Sequence, residues 1–426
     1  MRERLMQKAQ QKSPWLWVPS LYFGQAIPYV VVMALSVIMY KDQGISNTDI
    51  ALYTSWLYLP WVIKPLWSPL IEMFGTKRRW VVVLQFLIGA ALACVALTTH
   101  LPSFFQASLA VLWLMAFSSA THDIAADGYY MLALREQQQA AFVGVRSTFY
   151  RLANIAGQGA MVYLAGALAE RSGDVAMAWS VVMFILAAVF LGLCFYHQLV
   201  LPRPESDHRA LQGGDYLKEF FGTFRAFFAR RDIWLILGFI LTFRLGEAQL
   251  VKLVVPFLKD PLVKGGLGLS TKEVGLVYGT VGVLALTLGG LLGGYLISRL
   301  GLKRCLWLMV AAVHLPDLVF VFLASALPHS LIGISACIAV EQFGYGFGFS
   351  AMLMYMIMVA DGPYKTAHYA ICTGLMALGM MVPGMYSGRI QEAIGYQHFF
   401  IWVCLATIPA FIMAALVRID PEFGKK

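Results

Sequence analysis

Charge is scarce in this chain. Of its 426 residues only 13% are Asp, Glu, Lys or Arg, about half the share of an average soluble protein. Hydrophobic residues make up 59% and the mean hydropathy is +0.70, which excludes a soluble globule and leaves no room for a large soluble domain. Motifs for chemistry are missing as well. No GxxxxGK(S/T) run is present, so the chain is not by itself an ATP-driven pump. Without a Ser-His-Asp, HExxH or deaminase-like arrangement it is not expected to be an enzyme. The six cysteines, Cys94, Cys194, Cys305, Cys337, Cys372 and Cys404, stand singly in or beside apolar stretches. No CxxC and no Cys/His pair at ligand spacing accompanies them, so no disulfide framework, metal site or cofactor is expected. Met1 to Ser13 is polar and basic and leads into a long apolar run without a small-residue cleavage site. The first span is therefore expected to stay in the mature protein.

What the chain has in quantity is apolar runs. They fall at about 15–40, 49–70, 80–98, 104–130, 140–168, 176–198, 233–258, 272–297, 304–326, 330–360, 366–388 and 397–417. Each is close to the roughly 20 residues that a bilayer-crossing helix needs. The expected fold is thus an all-α polytopic membrane protein with twelve transmembrane helices. Only residues 199–232 form a long polar stretch between spans. They read as a linker between an N-terminal six-helix half, 1–198, and a C-terminal one, 233–426.

The formal charge of +9 would suggest a nucleic-acid partner in a soluble protein; here its distribution gives topology instead. With both termini on one side, the loops there carry 21 Lys and Arg, against six on the other side: Lys41, Arg171, Lys259, Lys264, Lys272 and Arg389. The positive-inside rule then places both termini in the cytoplasm.

The two halves repeat each other. Gly44-Ile45-Ser46 after the first span recurs as Gly268-Leu269-Ser270 after the seventh, each followed three residues on by an acid, Asp49 or Glu273. Gly75-Thr76-Lys77-Arg78 after the second span recurs as Gly301-Leu302-Lys303-Arg304 after the eighth, and Ala126-Asp127-Gly128 as Ala360-Asp361-Gly362. Matches in the same order at nearly constant offset imply two parallel six-helix repeats, the plan of a transporter that rocks between two states.

The turns Glu72-Met73-Phe74-Gly75-Thr76-Lys77-Arg78-Arg79 and Ser298-Arg299-Leu300-Gly301-Leu302-Lys303-Arg304 resemble the acidic-Gly-basic loop signature of the major facilitator superfamily. The resemblance implies a conformational latch built from Glu72, Gly75, Arg78, Gly301 and Arg304, with Ser298 where the second acid would stand. Within that superfamily the chain is similar to the AmpG-type muropeptide permeases and their acetyl-CoA transporter relatives. The segments that carry the similarity are Lys64-Pro65-Leu66-Trp67-Ser68-Pro69-Leu70, Ser119 to Asp127, Tyr150-Arg151-Leu152, Arg244 to Ala248 and Glu341-Gln342. It implies a bacterial inner-membrane protein whose first, fourth, seventh and tenth spans line a substrate cavity.

Five cations, Lys64, Arg146, Arg151, Arg244 and Lys252, and five acids, Asp123, Asp127, Glu247, Asp317 and Glu341, fall at membrane depth. A lone charge there costs several kcal/mol, so each must be paired or face water. Asp123 and Asp127 lie four apart on one helical face. Two carboxylates so close in a low dielectric resist ionising together, which suits a proton carrier; an ion pair with Arg146 or Arg151 is the alternative. Glu247 and Glu341 are further proton-coupling candidates, although Arg244 and Glu247, three apart, also fit a simple neutralising pair. Lys252 fits the water-facing side of Arg244. Tyr22, Gln25 and Tyr29 share a face of the first span that suits hydrogen bonding and stacking on a sugar. Lys64 and Arg146 are read as substrate contacts or snorkelling cations, Arg151 and Arg244 as a clamp on a carboxylate. His314 and Asp317, on the ninth span, are expected to pair with each other. Gly344, Gly346 and Gly348 permit either close helix approach or bending.

These features converge on a proton-coupled secondary transporter importing a cell-wall fragment, an anhydro-muropeptide, as a monomer. Transport of another large polar anion, such as a siderophore or acyl-CoA, and export of a drug or metabolite are the alternatives within the fold. A non-transporting membrane receptor is the alternative outside it.

Overall fold

The computed structural model describes residues 13–73, 75–134, 136–204, 207, 215–360 and 365–424. Met1 to Lys12, Gln212 to Gly214, Asp361 and Gly362 lie outside the described residues, as does the side chain of Glu72. All regular elements among the described residues are helical. In chain order they are α1 Pro14–Asp42, α2 Asn47–Trp56, α3 Leu59–Met73, α4 Lys77–Thr98, α5 Phe104–Ala133, α6 Val145–Ser172, α7 Val175–Val200, α8 Asp215–Phe228, α9 Ile233–Lys259, α10 Thr271–Leu300, α11 Leu302–Ala326, α12 Leu331–Val359 and α13 Ala367–Leu416. All but α2, α3 and α8 are long and apolar enough to cross a bilayer. The helical run of α13 passes through Gly395, whose φ of 75° and ψ of 169° are not helical.

The repeats share local chemistry. Gly44 and Gly268 both have positive φ, 81° and 66°, a conformation that glycine enters without strain. Two residues on, Ser46 and Ser270 cap α2 and α10 by accepting from the amides of Asp49 and Glu273. Gly75 and Gly301 also turn at positive φ. Short π-helical stretches interrupt α1 at Val31–Leu35, α6 at Ile155–Met161 and α10 at Gly275–Gly282.

Two compact units emerge. The first comprises Met1–Leu35, Leu66–Gly157 and Leu168–Gln212. Trp17, Leu21, Tyr22, Ala125, Tyr129 and Leu201 are buried in its core. A polar chain also runs through it: Ser20 Oγ to His197 Nε2 at 2.9 Å, His197 Nδ1 to Gln85 Oε1 at 2.9 Å, and Gln85 Nε2 to His122 Nε2 at 3.2 Å. Each of these four side chains thus gains a partner from another helix, as burial in a membrane favours.

The second unit comprises Ser36–Pro65, Gln158–Ala167 and Gly213–Lys426, and so includes pieces of both sequence halves. Its core gathers Phe227, Phe239, Phe243, Met309, Met352 and Tyr355. Within it the end of α6 lies directly on the start of α10. A Cβ on Gly166 would sit 2.3 Å from the Lys272 amide nitrogen, and one on Gly279 only 1.9 Å from the Gln158 carbonyl oxygen. α2 meets α13 in the same way, with Gly388 against the Asn47 carbonyl. Small residues let the backbones touch, which is how helices adhere where lipid removes the hydrophobic drive. The glycines of α12 do the same. Gly344 lies against the Ala312 carbonyl and Gly348 against that of Met309, while α12 continues unbroken from Leu331 to Val359. Of the two roles open to them, close approach is the one they perform.

Candidate functional site

In the first unit the site is built around Asp127. Its Oδ1 accepts from the Tyr22 hydroxyl at 3.0 Å and from Arg146 at 2.9 Å. The Arg146 guanidinium also lies over the Tyr22 ring, 4.3 Å from its centroid, and 5.2 Å from that of Tyr130. A cation held by a carboxylate and two aromatic faces is well compensated for leaving water. Beside it opens a cavity of about 250 Å³, lined by Tyr22, Gln25, Arg146, Ser147, Tyr150 and Arg151. Gln25 is buried and its Oε1 has no hydrogen-bond partner, leaving an acceptor for a donor that enters. Asp123, one turn from Asp127, is close enough to Tyr150 to act on it electrostatically, as is Tyr29. Asp127 is thus paired with Arg146, one of the two partners open to it, and its environment differs from that of Asp123.

In the second unit Glu247, Asp317 and Glu341 converge from α9, α11 and α12. One oxygen from each lies within 4.8 Å of the others, and the residues are 3%, 1% and 1% exposed. The close approach of α11 and α12 at Gly344 brings the last two together, and Leu315–Asp317 forms a 3-10 turn within α11. Gln342 donates to Glu341 at 3.0 Å, whereas both Asp317 oxygens and Glu247 Oε2 lack partners. His314 has no side-chain hydrogen-bond partner among the described residues; its ring lies beside the Phe243 backbone and packs on Phe243 and Phe411. The expected His314–Asp317 pair is therefore corrected. Asp317 turns from α11 toward the other acids, and His314 turns to an aromatic pocket. Three negative charges so close would repel strongly in this medium, so the cluster is suited to holding protons or a cation. It is the only group among the described residues with metal-ligand spacing, and distances along the chain gave no sign of it.

Arg244 donates to the Tyr345 hydroxyl, lies over the Tyr345 and Phe349 rings, and acts electrostatically on Glu247. Lys252 is 2% exposed. Its ammonium donates to Thr54 Oγ1 at 3.0 Å and lies over the Tyr58 ring, with no carboxylate among its described contacts. Lys64 is half-buried on α3. Arg151 belongs to the first unit and Arg244 to the second.

The residues of the two Gly-basic turns behave differently in the two repeats. Arg78 donates to the carbonyls of Gln198 and Leu201, and Asp207 caps the start of α4 through the amides of Lys77 and Arg78. Arg304 is exposed, without a described partner.

A further cluster went unnoticed in the sequence, where its members count only as loop charges. Lys41-Asp42 ends α1, and the repeat-related Lys259-Asp260 closes α9, Lys259 as its last residue and Asp260 as its cap. The two dipeptides cross-pair, Lys41 with Asp260 at 2.7 Å and Asp42 with Lys259. Asn47 and Tyr396 also donate to Asp260, at 3.2 and 2.6 Å, and Thr271 donates to Asp42. Burial alone would raise the pKa of Asp260, but hydrogen bonds from Lys41 and Tyr396 outweigh it and hold the carboxyl below the usual 3.8. A depressed carboxylate stabilises above its ordinary pKa and loses that stabilisation as pH falls through the lowered value. The distance between spin labels attached to cysteines placed at Tyr163 and Lys272, which touch in the second unit, should therefore stay constant from about pH 8 to about pH 5. A change already near neutrality would contradict this.

Comparison with known proteins agrees with this picture. The profile of the Major Facilitator Superfamily matches residues 20–258. The anhydromuropeptide permease of Escherichia coli (strain K12) is 28% identical over 371 residues, covering 86% of this chain and 72% of the permease. A Rickettsia conorii transporter, AmpG 4, is 24% identical over 91% of this chain and 92% of its own. Among solved structures the nucleoside transporter NupG superposes with a TM-score of 0.70 at 15% identity, over 95% of this chain and 98% of that one. A multi-pass helical protein of the bacterial inner membrane, with transporters for relatives and their fold, the chain belongs to the Major Facilitator Superfamily.

Proposed function

We propose that the protein imports an anhydro-muropeptide into the cytoplasm, driven by protons and by alternating access. The observation that carries this reading is the cavity over Asp127 and Arg146. Tyr22 and Tyr150 offer ring faces and hydroxyls to a sugar, Gln25 offers its unused acceptor, and Arg151 offers a fork for a peptide carboxylate. Relatives named as anhydromuropeptide permease and AmpG transporter support the substrate class. Protonation of Asp127 would weaken its bond to Arg146 and release the guanidinium toward an entering anion, so that proton and anion favour each other's binding. Asp123 takes part in the same step, and Glu247, Asp317 and Glu341 form a second protonation site. Tyr29 adds to the polar surface of the first unit, and within the second unit Lys252, Arg244 and Lys64 are candidate ligand contacts in their own right. We read the chain as twelve spans, dividing α13 at Gly395 and joining α2 to α3, and the loop charge bias supports a cytoplasmic side for both termini. The protein works as a monomer.

The test is uptake of labelled anhydro-muropeptide, acyl-CoA and siderophore into proteoliposomes, with and without an inward proton gradient. Muropeptide alone should accumulate, and only with the gradient. Asp127→Asn and Asp123→Asn should each lower gradient-driven uptake at least about a hundredfold, as expected for removal of a proton-transfer group, while sparing ligand binding. Undiminished proton-dependent uptake in the double variant would remove both residues from coupling.

A further inference from the structure

A groove in the first unit takes in none of the residues proposed to meet the ligand or the proton. It encloses about 910 Å³ between the start of α4 and the end of α7. Arg79, Val82, Val83 and Phe86 line it from α4, and Leu191, Cys194, Phe195 and Gln198 from α7. Both sets follow the i, i+3, i+4, i+7 spacing of one helical face. The Cys194 thiol donates to the Val82 carbonyl and Arg78 reaches the Gln198 carbonyl, so the helices run antiparallel. Polarity therefore falls in the same direction along both walls. Arg78, Arg79, Arg203 and Gln198 stand at one end, Phe86 and Leu191 at the other. The apolar wall is open, with Phe86 55% and Phe195 69% exposed, on helices long enough to cross a bilayer.

The polar end carries three arginines and one carboxylate, Asp207. That carboxylate is engaged by the amides of Lys77 and Arg78 at 2.7 and 3.0 Å. Arg78 is engaged by carbonyls, yet it is close enough to Arg203 for the like charges to repel. Arg79 and Arg203 are exposed, with no side-chain partner among the described residues. An apolar trough that ends in guanidinium groups, two of them without a side-chain partner among the described residues, is complementary in both shape and charge order to one kind of molecule.

We propose that this groove binds an anionic phospholipid, with its phosphate held by Arg79 and Arg203 and an acyl chain laid along Val83, Phe86 and Phe195. Guanidinium groups take phosphate oxygens in a two-pronged geometry, and basic pockets between transmembrane helices suit charged headgroups. Among the described residues the lining carries a net charge of +2, three arginines less one aspartate, which favours an anionic over a zwitterionic headgroup. A free phosphate would use the arginines but gain nothing from the trough.

The experiment compares the whole protein with the Arg79→Gln/Arg203→Gln variant. Each is purified in detergent, offered phosphatidylglycerol or phosphatidylethanolamine in equal amounts, and read by native mass spectrometry for retained lipid and by melting temperature. The wild type should retain phosphatidylglycerol at least tenfold over phosphatidylethanolamine, and the variant should lose that preference. Arg304→Gln, which removes an exposed cation from the repeat-related turn, should keep it. Phosphatidylglycerol should raise the wild-type melting temperature, and inorganic phosphate should not. Equal retention of the two lipids by the wild type overturns the proposal, even if the variant fails to fold. Undiminished preference in a folded variant, an equal loss in Arg304→Gln, or equal stabilisation by inorganic phosphate overturns it too.

Discussion

Replacing Lys252 by methionine should raise the melting temperature of the ligand-free protein and, at the same time, weaken an anionic ligand by at least tenfold. Both effects have one cause. The Lys252 side chain is almost wholly enclosed, and the contacts of its ammonium are a hydroxyl and a ring face. Neither replaces the hydration that the charge gave up, so the folded protein bears a cost of several kcal/mol. Methionine has a similar length and no charge; even buried ion pairs exchanged for apolar residues often recover about 1–4 kcal/mol, and Lys252 has no carboxylate pairing to lose among its described contacts. A carboxylate brought in by a ligand would supply the missing partner, in a hydrogen bond between charges worth about 1.5–3 kcal/mol. Thermal unfolding and equilibrium binding of anhydro-muropeptide check the two signs separately. If the variant melts lower and binds as tightly as before, Lys252 is a packing residue and the reading fails.

Gly279→Leu should abolish the tight contact of α6 with α10 and lower uptake at least tenfold. The new Cβ would lie 1.9 Å from the Gln158 carbonyl oxygen and 2.3 Å from its carbon. Both are backbone atoms that cannot rotate away, and overpacking of this kind costs typically about 1–3 kcal/mol or more. A state that depends on this contact would lose its population by about tenfold for each 1.4 kcal/mol. The cysteine pair at Tyr163 and Lys272 reports the contact directly, and proteoliposome uptake reports the cycle. Gly294→Leu is the control, since nothing lies within 4 Å of its Cβ position; it should alter neither reading. Full cross-linking in Gly279→Leu would show that the helices part elsewhere and leave Gly279 without a role in the cycle.

Much of the fold was readable from composition and repetition. Apolar length fixes the helices because a bilayer offers the backbone no other partner. The Gly-x-Ser turns could be matched between halves because each needs a left-handed glycine and a capping hydroxyl at fixed spacing. The Asp127–Arg146 pair was within reach because it is short-range in sequence and both groups are costly alone. The Glu247–Asp317–Glu341 cluster was not. Its members lie 70 and 24 residues apart, and they meet because glycines on α12 let a neighbouring backbone in, a three-dimensional fact with no periodic trace. His314 misled because proximity in sequence on a helix does not fix direction. The Lys-Asp dipeptides were hidden by their position at span ends, where a charge is ordinarily solvated.

Those dipeptides carry a consequence for how the contact between α1 and α9 comes apart. Each consists of a cation and an anion joined by one peptide bond, so each is neutral by itself. In the described state every charge takes its partner from the other dipeptide. On separation the same four groups are left as two adjacent opposites, each free to close on its neighbour while water enters. No bare charge is stranded on either side. A single Lys facing a single Asp would instead leave two monopoles behind, with a barrier that grows with distance. The exchange of partners leaves each separated piece neutral, so opening this fastening costs less than parting two lone charges, and the ligand and the proton gain more say in which form prevails.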